Sequence, residues 1–213
     1  MASRAPSVAN GAMILADISG YTSFLRSVAD AHQADAFADG AVPQAYTLLS
    51  SLLDGIVQRL VPPFTLSKLE GDAVFAFAED AGQLPRESSL LECIAQCHED
   101  FRRTVAMARS MYTCDCGICS GIVGLDLKFV LHSGQFVMQS IAGGRELSGP
   151  EVVIAHRLLK TGARELVGHG AYAVVTDAAA RRFAIPIDDS LPLVESIEHY
   201  PPVHLHVFPL AEG

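Results

Sequence analysis

The sequence predicts a mixed α+β fold in which a mainly antiparallel sheet is covered by helices. Three observations carry that reading. Half of the 213 residues are hydrophobic, enough for a full core in a chain of this length. The apolar residues gather into short strand-like runs, several of them paired across glycine-bearing turns as antiparallel hairpins require. Between them lie longer stretches whose apolar residues return every three to four positions, the spacing of a helix buried along one side. With no repeat, low-complexity tract or linker in view, residues 1–213 read as one domain carrying a cysteine-rich loop insertion at about 112–121.

The elements follow in order. Gly11 to Asp17 is short, apolar and stopped by a polar turn, which predicts a buried strand. Ser19 to Ala31 and Asp39 to Leu60 carry helical periodicity, and Pro62-Pro63 ends the second. Phe64 to Leu69 and Ala73 to Ala78 are apolar runs separated by Glu70-Gly71-Asp72, a hairpin whose tip carries Asp72. Glu87 to Met111 is helical. Leu125 to His132 and Gln135 to Ile141 predict a second strand pair turning at Ser133-Gly134. Gly149 to Thr161 reads as a helix, Ala171 to Thr176 as a strand, Asp177 to Phe183 as a short helix and Val203 to Phe208 as a last strand.

Charge and composition narrow the function. A formal charge of −9 weighs against a sequence-independent grip on nucleic acid, which needs a basic footprint. No apolar run approaches the ~20 residues that span a bilayer, and the first ten residues lack the blocks of a signal peptide. A cytoplasmic protein without membrane or nucleic-acid partners is the expectation. Five cysteines, odd in number and tightly grouped, argue against a disulfide scaffold. Cys114, Cys116 and Cys119 crowd one loop and are zinc candidates. Cys97 or His98 is the nearest fourth ligand, and a set of reduced, unligated thiols is the alternative.

Two acidic segments carry the chemistry: Leu15-Ala-Asp-Ile-Ser-Gly-Tyr-Thr22 and Ser67-Lys-Leu-Glu-Gly-Asp-Ala73. Each puts one carboxylate, Asp17 or Asp72, at the edge of an apolar run. A pair so placed suits Mg²⁺, a hard ion that takes one or two protein carboxylates and completes its shell with water and phosphate oxygens. Taken singly, Asp17 reads equally well as a helix cap and Asp72 as a turn residue.

Asp-Ile-Ser-Gly-Tyr-Thr at 17–22, Lys-Leu-Glu-Gly-Asp at 68–72, Leu-His-Ser-Gly at 131–134 and Gly-Pro-Glu-Val-Val-Ile-Ala-His-Arg at 149–157 resemble, in order, the class III adenylate/guanylate cyclase catalytic domain. The resemblance covers most of the chain and implies a ferredoxin-like cyclase fold from a divergent bacterial branch. It further implies Mg²⁺ or Mn²⁺ held by Asp17, its neighbour Ile18 and Asp72, with Lys68 and Glu146 reading the purine and Arg157 stabilising the transition state. Lys68 can donate to a ring nitrogen and Glu146 can accept from an exocyclic amine, which favours ATP over GTP; ordinary surface charge is the alternative for both.

The match departs from the family at two places. Val153 replaces the asparagine that orients the ribose, and valine has neither donor nor acceptor. His199 to Phe208 contains no lysine for the triphosphate; His204 and His206, on one strand face, are weak substitutes. The family builds its site between two catalytic domains, so a homodimer is implied, with Leu48, Leu49, Leu52 and Leu53 serving either that interface or the core. His132 is expected to be a core histidine bonded to backbone, His156 to lie on a helix surface, and Phe64, Phe75, Phe77, Phe129 and Phe136 to pack the core. Two functions follow: a metal-dependent cyclase converting ATP to cyclic AMP and pyrophosphate, or a catalytically silent nucleotide-binding or interaction module on the same scaffold.

Overall fold

The computed structural model describes residues 5–32, 42–80, 89–111, 117–141, 144–168 and 170–210. The first strand, β1 (Ser7–Ser19), leads into α1 (Tyr21–His32) and α2 (Gln44–Leu60). A hairpin follows, β2 (Thr65–Glu70) and β3 (Ala73–Glu79), then α3 (Ser89–Met111) and a 3₁₀ helix (Cys119–Gly124). The second half comprises β4 (Asp126–Ile141), β5 (Gly144–Ser148), α4 (Pro150–Arg157), α5 (Ala163–Val167), β6 (Tyr172–Thr176), α6 (Asp177–Arg182), β7 (Leu191–Glu195) and β8 (Val203–Pro209).

These strands form one sheet in the order β2-β3-β1-β4-β6-β8-β7, with β5 added to β4. All pairs are antiparallel except β4 with β6. Side chains alternate across a strand, so β1 feeds two cores. Ala12, Ile14, Ala16 and Ile18 join the cluster beneath α1, α2, α3 and α6, whereas Met13 and Leu15 join Phe75, Phe77 and Phe136 beneath α4 and α5. In α2 the buried positions are Ala45, Leu49, Leu52, Ile56 and Leu60, the one-sided stripe of an amphipathic helix. Leu48 and Leu53 pack partly buried against the same cluster, so all four leucines serve the chain's own core. The five phenylalanines assigned to the core are buried.

One expected hairpin is absent. Ser133-Gly134 is not a turn but the middle of β4, which runs unbroken and pairs with β1 through Gly11↔Gly134 and Ala12↔Ser133. The glycines answer to close approach rather than to turning. A Cβ on Gly11 would lie 1.9 Å from the Ala78 carbonyl oxygen, and one on Gly134 would lie 2.5 Å from Cγ of Glu151. The chain turns back later, and β5 returns beside the end of β4. The helix expected to reach Thr161 ends as α4 at Arg157, beyond which the chain tightens into i+3 bonds, Leu159 N–H to His156 O and Lys160 N–H to Arg157 O. The short α5, β5 and β7 carried too few periodic residues to be read from sequence.

A buried polar chain seats α4 on the sheet. His132 is 3% exposed; its Nδ1 lies 2.9 Å from Thr176 Oγ1 and its Nε2 2.7 Å from Glu151 Oε2. Thr176 Oγ1 also accepts the Ala179 N–H that opens α6, so its own proton is free to go to Nδ1 and the ring donates from Nε2 to the carboxylate. The histidine is therefore bonded to side chains, not to backbone. Glu151, in the first turn of α4, reaches it by passing over Gly134.

Two outcomes follow. Gly11→Ala should destabilise the fold by about 3 kcal/mol or more, since its contact is backbone and cannot swing aside; urea melts with unchanged m-value measure it. Burial lowers the His132 pKa below 6.5, more than its bond to Glu151 raises it. The unfolded chain then takes up the proton first, so this contribution to stability is full above about pH 6.5 and declines as pH falls from there toward the lowered native value. His132→Gln should flatten that part of a stability–pH profile.

Candidate functional site

Asp17 ends the run of β1, where it pairs with Ala73 of β3 on one side and Lys128 of β4 on the other. By the alternation of β1 it points to the α4 face of the sheet. Asp72, in the turn before β3, is tied to it through backbone: the Ile18 N–H donates to the Asp72 carbonyl at 3.2 Å. Ile18 itself is 1% exposed, its side chain in the opposite core, so only its carbonyl is available as a ligand. Asp72 has its pKa raised, first by burial and then by the negative charge of Asp17, with Lys128 opposing. Two carboxylates so arranged are relieved by a cation.

One resident cation is already there. Lys128 Nζ sits 3.0 Å from Asp17 Oδ2. Sequence reasoning passed over it as a strand residue; a lone lysine in an apolar run was the signal, and its register with Asp17 was not readable. Asp17, Asp72 and Lys128 line a cleft of about 500 Å³ together with Tyr21, Ser23 and Arg26 of α1. The first turn of that helix opens on the cleft, and its unpaired N–H groups favour anions. Among the described residues no group of three or more His, Cys, Asp or Glu is placed to hold a metal. A two-carboxylate donor set fits Mg²⁺ or Mn²⁺ only where phosphate and water fill the remaining positions.

On the same face lies a second cluster. Lys68 of β2 and Glu146 of β5 meet, Nζ to Oε2, at 3.1 Å, although 78 residues separate them in sequence. Glu70, read only as a hairpin residue, contacts Lys68 at 3.1 Å through Oε1. Its Oε2 lies 3.0 Å from His156 Nε2, off the direction a hydrogen bond needs, so that nitrogen is buried without a directed partner. His156 is thus not a free surface residue; its ring stands edge-on to Phe75 at 4.7 Å and its Nδ1 donates to Val152 O at 2.7 Å. The Lys68 pKa is raised, most by the bond to Glu70, with burial opposing and Glu146 adding.

Arg157 and Val153 lie four residues apart on α4, both exposed, and so share one outward face. His206 is held by Asp177 and Ser190, each at 3.3 Å, while His204 is exposed. A separate cleft of about 490 Å³, between the β4–β5 ribbon and the end of β3, contains Glu79, Met138 and Arg145 and none of the sequence-predicted residues.

The zinc expectation finds no third ligand among the described residues. Cys114 and Cys116 lie outside them. Cys97 packs in the apolar core, and burial pushes its thiol up to about 12, which disfavours the thiolate that zinc requires. His98 is committed to Asp126 at 2.9 Å. Cys119 opens the 3₁₀ helix, buried, with its Sγ 3.5 Å from His32 Nε2.

Comparison with solved structures gives the fold. The guanylyl cyclase Cya2 superposes with a TM-score of 0.62 at 12% identity, covering 98% of this chain and 96% of that one. The adenylyl cyclase CyaB from P. aeruginosa gives 0.63 at 13%, covering 96% and 95%. The chain therefore shares the α+β fold of nucleotidyl cyclase domains. No described helix is long and apolar enough to cross a membrane. Residues 49–165 match a family model described as a protein of unknown function, DUF2652. The uncharacterized protein Rv2561/Rv2562 of Mycobacterium tuberculosis (strain ATCC 25618 / H37Rv) is 30% identical over 162 residues, 71% of this chain and 72% of that protein. By the family-model match, which spans more than half of it, the chain belongs to the DUF2652 family.

Proposed function

We propose that the chain binds ATP with a divalent cation and converts it to cyclic AMP and pyrophosphate. The observation that carries this is the Lys68–Glu146 contact at 3.1 Å. Lys68 and Glu146, which the cyclase resemblance implies as the base-reading pair, meet on the face that also presents Asp17 and Asp72. Lys68 donates to the adenine ring nitrogen and Glu146 accepts from its amine; guanine offers an oxygen at that position and loses the second bond.

Asp17, the Ile18 carbonyl and Asp72 would hold Mg²⁺ or Mn²⁺. That ion supplies charge neutralisation on phosphate oxygens and a lower barrier to ionising the ribose 3′ hydroxyl. Lys128, Arg26 and the first turn of α1 give the same cleft positive potential for the triphosphate, compensating for the lysine that the C-terminal segment does not provide. In the overall change the 3′ oxygen bonds the α-phosphorus, pyrophosphate leaves and the hydroxyl proton is released. Arg157 projects from an exposed helix face; on this reading it and the base-reading pair come from one copy of the chain and the metal carboxylates from a second, so the site needs a homodimer. A second reading, nucleotide binding without turnover, is favoured by Val153, which gives the ribose no polar partner on that face.

Purified protein with ATP and Mn²⁺ should release pyrophosphate and cyclic AMP, and Asp72→Asn should abolish both. The same variant should melt at an equal or higher temperature, because asparagine removes a charge that burial and Asp17 disfavour. Metal-dependent ATP binding without product would select the second reading, and no nucleotide binding at all would sink both.

A further inference from the structure

Lys68 is held from two sides, and only one of its partners belongs to the base-reading pair. An ammonium has three donors. Glu146 accepts from one of them and Glu70 stands beside the ammonium as an ion pair, at 3.1 Å each, which together restrain its direction. An unrestrained lysine gives up rotamer freedom when a ligand fixes it; one already restrained gives up less and binds more tightly for the same contact. Of the two carboxylates, Glu70 has the larger effect on the lysine's proton affinity.

Glu70 also faces the helix. Its second oxygen lies against His156 Nε2 at 3.0 Å, and that ring is fixed at its other nitrogen and by Phe75. His156 immediately precedes Arg157. The side chain of Glu70 thus touches both the residue that would read the base and the turn that carries the arginine.

We propose that Glu70 is a positioning residue, which presets the Lys68 ammonium for a purine ring nitrogen. This rests on the nucleotide reading above. It assigns to Glu70 a part in purine discrimination, because a lysine of fixed direction rewards adenine's acceptor and a freely rotating one rewards any acceptor within reach.

The test is calorimetric binding of ATP and of GTP, each with Mn²⁺, to the full chain and its variants. Glu70→Ala should weaken ATP by about tenfold, with Glu70→Gln intermediate and GTP changed less. In a Lys68→Ala background the same substitution should cost no more than about twofold, because its effect passes through the lysine. A merely structural role would give equal losses for both nucleotides and in both backgrounds, overturning the proposal while leaving the nucleotide reading intact. Wild-type protein that binds neither nucleotide would instead remove the reading on which it rests.

Discussion

The pairing of β1 along both of its edges is the constraint on which the rest of the structure depends. With β3 on one side and β4 on the other, its backbone groups are satisfied in the ladders, as a strand buried on both faces demands. Alternation then divides its side chains between two cores, and the parity that buries Met13 and Leu15 places Asp17 on the same face. A slip of one residue would send the carboxylate into the core beneath α1 and α2 and bring Ile18 out. The site is therefore as well fixed as the apolar pattern of the central strand. The Ile18 amide bond to Asp72 extends that control to the second carboxylate.

The helix α4 is held by a different kind of force. Its first turn is anchored by Glu151 to buried His132, and its last turn faces Glu70 through His156. Between these ends Val152, Ile154 and Ala155 are buried, leaving Val153 and Arg157 to project outward. The polar anchor is only as good as its completeness, since a buried imidazole with one partner removed is left unsatisfied and costs more than the bond contributed. Thr176 completes it while also capping α6. Gly134 makes it sterically open. The chain thus spends a glycine, a histidine and a threonine on the rotation of one short helix.

Much of this was legible in the sequence where a pattern was local. The buried strands, the long helices and the β2–β3 hairpin follow from periodicity and turn chemistry, and Lys68 and Glu146, which the family resemblance alone singles out, do meet. What escaped was set by neighbours distant in the chain. Ser133-Gly134 looks like a turn, because a glycine selected for a crossing side chain has the same letter as one selected for backbone conformation. Lys128 gave no sign of facing Asp17, since register belongs to the pair of strands and to neither alone. Glu70 and His156 read as turn and surface residues; each is partly exposed, and their meeting depends on how α4 lies across β2 and β3.

On the proposed nucleotide reading, the charges of the site bear on how binding and turnover would separate. Asp17 has Lys128 as its counterion, and Lys68 has Glu70 and Glu146, so each lysine is already paired with carboxylate before any ligand arrives. A divalent cation and a nucleotide bound as proposed would exchange these contacts for their own and gain only the difference, as with any preformed polar site. The Lys68–Glu146 and Asp17–Lys128 pairs are each oriented within one chain. Arg157 is in another position: it projects from an exposed face beside Val153, so its alignment with a phosphorus atom depends on groups outside that face. Loss of one orienting hydrogen bond to a sugar costs on the order of 10²-fold in rate through misplacement alone, while the base and metal contacts that set affinity are untouched. Nucleotide affinity in this chain is thus expected to survive changes that remove turnover, and the replacement of a polar residue by Val153 falls on the turnover side of that division.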